Sequence, residues 1–410
     1  MEPYYSWSKI KMKDNKALLT ILLIIFVDIL GFSVMIPLLP FYAQSLGASP
    51  LAIGFIASFY GIASLIAGPI LGDLSDKYGR KPVLLLSQIG TFLSFILLAL
   101  SHNIFLVFVA RVLDGFTSGN ITVAQAYISD VTKPEERTKA MGLIGAAFGL
   151  GFILGPAISG ALAQYGHQAP IWASAFLSLL SIIGTIFTLK DQHNFDRVKE
   201  KVNLKKYLEV SLKFELKDYF ISFFIFSLMF SVYMSGLALY CERTLIYKGR
   251  PFGPKEVGYL LSYAGFASLI VQLGIVEPMV KKWGEVKVMI IGFITCALAF
   301  SVISGQTATT IFVAGLTLNV FGNSVLRPSI SASISKKANR DEQGLVFGIS
   351  QTLMSFATIV APPFSGYLIE HGLNTTWCYS IVFFSLLGIL FGFKCHFKQS
   401  HHNQVVESEG

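Results

Sequence analysis

The sequence GDLSDKYGRK at residues 72–81 interrupts a chain that is otherwise largely apolar. It joins two apolar runs, 51–71 and 82–101, which are each about 20 residues long and can cross a bilayer as helices. Glycine permits close helix approach and sharp reversal of the chain, and an acid and an arginine four positions apart can pair. The stretch predicts a tight turn between two membrane-spanning helices. Its turn-forming and pairing residues are Gly72, Asp76, Gly79 and Arg80.

The same kind of apolar run recurs along the whole chain. Hydrophobic side chains make up 53% of the residues and charged ones only 14%, whereas a soluble protein carries about 25% charged residues. We therefore predict an all-α membrane protein of twelve transmembrane helices with no separate soluble domain. The runs lie near 17–43, 51–71, 82–101, 104–128, 140–164, 170–189, 218–240, 256–278, 287–304, 309–332, 344–369 and 376–394.

The distribution of positive charge predicts the orientation of the chain. A net charge of +8 could indicate nucleic-acid binding, but most of the 32 Lys and Arg residues lie in the two termini and in every second gap between runs. Loops rich in Lys and Arg stay on the cytoplasmic side of a membrane. We expect a multi-pass plasma membrane protein with both termini in the cytoplasm and no nucleic-acid partner.

A long polar stretch and an internal repeat divide the chain into two related halves. We predict one six-helix bundle at 1–190, a cytoplasmic linker at 191–217, a second six-helix bundle at 218–396 and a cytoplasmic tail at 397–410. Pro156 and Gly160 are matched by Pro362 and Gly366, and 77–79 by 282–284, at nearly the same spacing. Such repeats are typical of secondary transporters, with a solute site near the midplane between the halves.

The turn at 72–81 resembles the signature loop of the major facilitator superfamily. The resemblance implies two pseudo-symmetric six-helix bundles, and an acid and arginine in this loop that latch the outward-facing state, with Asp130 as partner of the arginine. A glycine-rich fifth run resembles the motif of drug–proton antiporters in that family, where the small residues pack helices closely. The motif residues are Gly145, Gly149, Gly151, Gly155, Pro156 and Gly160.

Within the superfamily the chain is similar to the bacterial tetracycline exporters over most of its length. The sequences 28–31, 37–40 and 126–132 resemble their first and fourth helices, and Gln272 falls on their eighth-helix glutamine. Two features differ. Those exporters carry an acid in the third helix, where this chain has Ser94, and another in the ninth, where 288–305 has none. The resemblance implies drug export across a bacterial inner membrane, and the two differences argue against tetracycline itself.

Ionisable residues within membrane spans are functional candidates because each is costly to bury. We predict Asp28 as the main proton carrier, with Asp114 assisting and Arg111, three residues before Asp114 on one helix face, tuning both. Two structural alternatives are that Asp28 bonds a broken first helix and that Asp114 only screens Arg111. Arg327 either reaches towards the cytoplasm or binds an anionic substrate.

Polar and aromatic side chains within the runs are candidates for the wall of a solute cavity, since ligand pockets combine apolar walls with a few polar groups. No metal cluster, phosphate loop or nucleophile–base pair occurs in the sequence, so we expect neither an enzyme nor a cofactor. The cavity candidates are Tyr60, Asn120, Gln125, Tyr127, Gln272 and Asn323.

Three functions fit these features. The first is proton-coupled export of a small amphipathic compound by a monomeric antiporter. The second is uptake or export of a metabolite, organic anion or siderophore. The third, from another class, is a membrane receptor that does not transport.

Overall fold

The computed structural model describes residues 15–131, 134–189, 204–213, 216–339 and 342–409, and these are almost entirely helical. The first half ends with a short 3-10 turn at Ala163–Tyr165 and a last helix. Its helices are α1 (Asn15–Ser45), α2 (Pro50–Tyr78), α3 (Arg80–Ala99), α4 (Ile104–Thr117), α5 (Asn120–Val131), α6 (Pro134–Leu162) and α7 (Gln168–Thr188).

The second half contains the remaining helices and one two-stranded antiparallel hairpin, β1 (Ile246–Tyr247) and β2 (Arg250–Pro251). The short α8 lies in the region predicted as a linker, and α15 continues through the region predicted as a tail. The helices are α8 (Leu204–Leu212), α9 (Lys217–Thr244), α10 (Pro254–Gly274), α11 (Val276–Trp283), α12 (Glu285–Ile303), α13 (Thr309–Lys337), α14 (Gln343–Glu370) and α15 (Asn374–Glu409).

Among the described residues, 12 helical segments are long and apolar enough to cross a membrane, which confirms the predicted number. The chain is a multi-pass membrane protein. The fourth span differs from the expected continuous helix because it is divided into α4 and α5 at Ser118 and Gly119. A Cβ placed at Gly119 would lie 2.8 Å from the Cβ of Leu71 on α2. The break therefore lies where α2 packs directly on the backbone of the fourth span.

Local sequence signals account for where several helices begin. Ser49 precedes α2, where its hydroxyl accepts the Ala52 N–H at 3.3 Å, and Pro50 occupies the first helical position, where no N–H is needed. The turn into α3 is at Gly79, whose φ is +97°, and the repeated turn into α12 is at Gly284, whose φ is +77°. The repeat seen in the sequence thus produces the same reversal in both halves.

The two halves meet through α2 with α14 and α6 with α10. Gly54 of α2 lies against the backbone of Pro362 and Pro363, and Gly258 of α10 lies against the backbone of Pro156 and Gly160. These contacts are related by the repeat and lie at the same end of the bundle. We call this the closed end; α2 and α10 begin there, and α6 and α14 finish there.

At the opposite end the same four helices separate. Among the described residues, no atom lies within 4 Å of a Cβ placed at Gly72, Gly145, Gly149, Gly274 or Gly348. We call this the open end, and the space between the halves the cavity. The prediction that Gly145 and Gly149 pack against a neighbouring helix is wrong for this conformation, because they lie where the halves have moved apart.

The close approach at the closed end predicts a conformational effect of Gly54→Leu. The added side chain cannot fit against Pro362 and Pro363, so the closed end is expected to separate. Spin labels introduced at Ser45 and Thr375, in a background without the four native cysteines, report the distance across this end by electron paramagnetic resonance.

The matched control is Gly68→Leu on the same helix, where a Cβ meets no atom. We expect the Ser45–Thr375 distance to increase in Gly54→Leu and to stay unchanged in Gly68→Leu. An unchanged distance in Gly54→Leu would show that this contact does not hold the closed end together.

Candidate functional site

A buried ion pair lies in the fourth span of the first half. Arg111 Nη1 is 2.7 Å from Asp114 Oδ2, and the two side chains are 5% and 10% exposed. The Tyr60 ring covers the guanidinium, with Arg111 Cζ 4.4 Å from the ring centroid. Arg111 Nε has no hydrogen-bond partner in the described part of the chain. The predicted sharing of one helix face is confirmed, and the pair presents a neutralised charge at membrane depth.

Asp114 also meets the third span, which the sequence did not indicate. Its carboxyl group has the side chains of Ser94 and Thr91 on α3 as polar neighbours, besides Arg111. Ser94 Oγ donates to the Thr91 carbonyl at 2.7 Å. The resemblance to the tetracycline exporters implies that Ser94 takes the position of their third-helix acid. In this chain the carboxylate beside Ser94 is that of Asp114, from the fourth span.

Asp28 lies on α1 and is partly exposed. Its polar neighbour is the side chain of Asn120, which is 2% exposed and whose Oδ1 accepts no hydrogen bond from the described residues. Helix α1 is continuous from Asn15 to Ser45, so the alternative that Asp28 bonds a helix broken near Gly31 and Pro37 is wrong. The Tyr60 side chain lies close enough to Asp28 and Asp114 to interact electrostatically with both carboxyl groups. We call Asp28, Tyr60, Arg111, Asp114 and Asn120 the N-half polar cluster.

The second half has an uncharged counterpart of this cluster. The spacing that relates Lys77 to Lys282 also relates Asp28 to Tyr233 and Asp114 to Asn319. The Tyr233 side chain neighbours Asn319, just as Asp28 and Asp114 lie near one another. Sequence reasoning missed Asn319, although the repeat spacing could have found it.

Two further predicted cavity residues belong to this half. Asn323 Nδ2 donates to Asn319 Oδ1 at 2.8 Å. Gln272 is exposed on α10 and donates to Ser268 Oγ at 2.9 Å. Ser268 in turn accepts from Ser324 of α13 at 2.7 Å. The Ser324–Ser268 bond thus joins α13 to α10 beside Gln272.

The remaining two cavity candidates lie in α5 and differ in their surroundings. Gln125 is exposed. Tyr127 is 1% exposed and packs in a core of apolar residues that includes Ile25, Val83 and Leu84. Because its ring is enclosed by the first bundle, Tyr127 does not line the cavity in this conformation, contrary to the prediction.

The loop at 72–81 forms the predicted turn and ion pair. Arg80 Nη2 is 2.6 Å from Asp76 Oδ1, with the guanidinium 6% and the carboxylate 39% exposed. Arg80 Nη1 also donates to Ser75 Oγ at 2.5 Å. The side chain of Asp130, the expected partner of Arg80 in the family, lies outside the residues whose side chains the structure describes.

The glycine motif of α6 contacts two different helices. Gly151 and Gly155 lie against α1, where Ser33 Oγ donates to the Gly151 carbonyl at 2.7 Å. Pro156 and Gly160 lie against α10 of the other half. The middle of the motif thus holds the first bundle together, and its last residues form part of the contact between the bundles.

The buried position of the Arg111–Asp114 pair predicts a large loss of stability in Asp114→Asn. Removing one partner leaves the other charge buried and unpaired, which costs about 3–5 kcal/mol. The matched control is Glu277→Gln, which removes the carboxylate of the exposed Glu277–Lys281 pair; the Lys281 hydrogen bond holds the pKa of Glu277 below its usual value.

Thermal unfolding in lipid nanodiscs measures both variants. We expect a clear fall in Tm for Asp114→Asn and almost none for Glu277→Gln, because exposed pairs contribute little. Equal Tm values for wild type and Asp114→Asn would contradict a tight buried pair.

Comparison with known proteins agrees with this architecture. A model of the Major Facilitator Superfamily matches residues 21–276 and 219–409. Multidrug resistance protein 2 of Bacillus subtilis is 29% identical over 374 residues, covering 88% of this chain and 91% of the relative. Tetracycline resistance protein, class B, of Escherichia coli is 26% identical over 383 residues, covering 90% and 93%.

Solved structures share the fold at lower identity. The human organic anion transporter MFSD10 has a TM-score of 0.68 at 19% identity, covering 92% of this chain and 99% of that one. The peptide transporter POT in complex with sulfate has a TM-score of 0.73 at 16% identity, covering 93% and 95%. With a family model that matches nearly the whole chain and two six-helix halves related by a repeat, the protein belongs to the Major Facilitator Superfamily.

Proposed function

We propose that this protein is a secondary active transporter that exports a small amphipathic organic compound in exchange for protons. The observation that carries the proposal is the N-half polar cluster, which places two carboxyl groups and one guanidinium at membrane depth. Charged groups there are costly and are associated with substrate or proton pathways. Relatives named for multidrug and tetracycline resistance support export of a drug-like compound.

Asp28 is proposed as the main proton carrier because it is the acid of the cluster without a cationic partner within the described residues and is partly exposed. Asp114 differs because Arg111 already neutralises it at 2.7 Å. A proton on Asp114 would cancel its charge and release the guanidinium from the pair. Proton binding at Asp114 would thereby change the charge near Asp28, which couples the two acids.

We propose that the open end faces the cytoplasm of a bacterial cell, since Lys and Arg are concentrated in the loops and termini of that side. The conformation is then inward-open. In the other state the helices must separate at the closed end and pack together at the open end. In that state the loop at 72–81, with Asp76, Arg80 and Asp130, would act as the latch that the family resemblance implies.

The cavity wall is proposed to combine polar groups of both halves with exposed aromatic rings. Tyr60 stacks on Phe32 with ring centroids 5.9 Å apart, and Phe32 is 39% exposed. Gln125, Gln272 and Asn323, which are exposed or partly exposed, offer hydrogen bonds. A single chain supplies both walls, so we propose that it acts as a monomer, with bundles at 1–190 and 218–396, a linker between them and a tail at 397–410.

Proton coupling predicts that Asp28→Asn abolishes transport driven by a pH gradient. In proteoliposomes with an acidic lumen, wild type should accumulate an amphipathic cation such as ethidium as protons leave. Asn cannot carry a proton, so accumulation in the variant should fall to the level of protein-free liposomes. Glu277→Gln, altered at an exposed ion pair, should behave as wild type.

Counterflow without a pH gradient tests whether Asp28→Asn still binds and moves ethidium. Full gradient-driven accumulation in Asp28→Asn and in Asp114→Asn would overturn the proposed coupling. The absence of flux for every compound in a wide panel would instead favour a receptor.

Because Asp114 has polar neighbours on the third span, we expect that a carboxylate introduced there can replace that of Asp114. Because Ser94 faces Asp114, the double variant Ser94→Asp with Asp114→Ala should restore much of the gradient-driven flux lost in Asp114→Ala. The matched control places the acid one position away, as Phe95→Asp with Asp114→Ala. Rescue by neither double variant would show that the two positions are not equivalent.

A further inference from the structure

Arg327 is a second guanidinium at membrane depth, and it is not part of the N-half polar cluster. It lies within α13, between Thr309 near the closed end and Lys337 at the open end. Its side chain is exposed, and no hydrogen bond or ion pair joins it to any residue that the structure describes. Arg111, in contrast, is buried and paired with Asp114. Arg327 is therefore a cation with its hydrogen-bonding groups available.

The exposed face of α13 is largely polar around Arg327, whereas a lipid-facing stripe is not. On α15 the exposed residues follow one another at helical spacing as Phe383, Leu386, Leu390, Phe393 and Phe397. On α13 the exposed or partly exposed residues next to Arg327 are Asn323, Pro328 and Ser331. Towards the closed end the exposed positions also include the apolar Ile311 and Ala314. Intramembrane polar residues face a bundle interior or a water-filled cavity. The Arg327 side chain thus faces the cavity.

No carboxylate of the described helices around α13 neutralises Arg327. The acids of these helices lie at helix ends, and several are paired, as in the Glu285–Lys336 and Asp218–Lys398 ion pairs. The acids concerned are Asp218, Glu242, Glu256, Glu277, Glu285, Glu342 and Glu370.

The repeat places Arg327 at the depth of Asp28. The spacing that relates Pro156 to Pro362 also relates Ile121 to Arg327. Ile121 follows Asn120, the polar neighbour of Asp28. The two walls of the cavity therefore carry opposite charges at one level, an acid on the first half and a guanidinium on the second.

We propose that Arg327 and Asp28 together bind an amphipathic zwitterion. Arg327 takes the acidic group, for which a guanidinium offers paired N–H donors, and Asp28 takes the basic group. A basic group on Asp28 competes with a proton for the same carboxylate, which is the condition for exchange of substrate against protons. The inference rests on the proposed function and adds the substrate class.

Norfloxacin and two derivatives test the assignment group by group. Norfloxacin carries a carboxylate and a basic amine, its methyl ester lacks the acid, and N-acetylnorfloxacin lacks the base. Binding is measured by fluorescence with the full chain in nanodiscs. Wild type should bind norfloxacin about tenfold or more tightly than either derivative, as expected for charge-assisted hydrogen bonds.

Each variant should lose one preference only. Arg327→Gln should bind norfloxacin and its methyl ester equally, and Asp28→Asn should bind norfloxacin and N-acetylnorfloxacin equally. Arg327→Lys should keep part of the preference for the acid. Lys281→Gln, which removes an exposed cation outside the cavity, should bind all three as wild type.

The outcomes separate the inference from the proposed transport. Unchanged methyl ester binding by Arg327→Gln shows that this variant is folded, so that its lost acid preference supports the site. A wild type that does not distinguish the three compounds, or an Arg327→Gln variant that keeps the acid preference, overturns the inference while leaving proton-driven ethidium flux as a separate question. Intact preferences without any proton-driven flux would support the site and refute only the proposed transport.

Discussion

A charge inside a bilayer is stable only when it is paired or reaches water, and the arrangement of this protein depends on that constraint. Arg111 satisfies it by pairing with Asp114 at 2.7 Å beneath the ring of Tyr60. Asp28 is partly exposed and Arg327 is exposed, and the repeat brings the two to one depth. The cavity thus gives the side chains of Asp28 and Arg327 access to water. Their charges in turn determine which groups of a substrate the cavity can bind.

The cavity lies at the open end because the described residues of the two halves pack closely from the closed end only as far as Gly61 and Gly265. Gly54 against Pro362 and Gly258 against Pro156 are the same contact made twice. Small residues let backbones approach closely in a membrane, where apolar burial provides little driving force. Few side-chain hydrogen bonds cross this contact; Ser262 Oγ to the Ile153 carbonyl at 3.0 Å and Leu51 N–H to Glu370 Oε2 at 2.9 Å are two of them. A contact of this kind can separate at modest cost, as alternating access requires.

Much of the fold could be predicted from the sequence because it depends on local patterns. Apolar runs identified the spans, Gly79 identified the turn, and the spacing of Arg111 and Asp114 predicted a shared helix face. Other features depend on neighbours distant in sequence. The break at Gly119 reflects the approach of Leu71, and Tyr127 is enclosed by residues of α1 and α3. Asp114 on the fourth span meets Ser94 on the third. No pattern within a single run carries that information. The repeat spacing could have identified Asn319 as the counterpart of Asp114, but this was missed.

The central claim is that substrate and proton compete for the carboxyl groups of the N-half polar cluster. It is tested most directly by the proton release that accompanies ligand binding. Purified protein in weakly buffered solution is mixed with ethidium, a permanent cation, and the pH change is recorded. We expect wild type to release protons in proportion to bound ethidium and the Asp28→Asn, Asp114→Asn double variant to release none. Equal release by both proteins would contradict the claim.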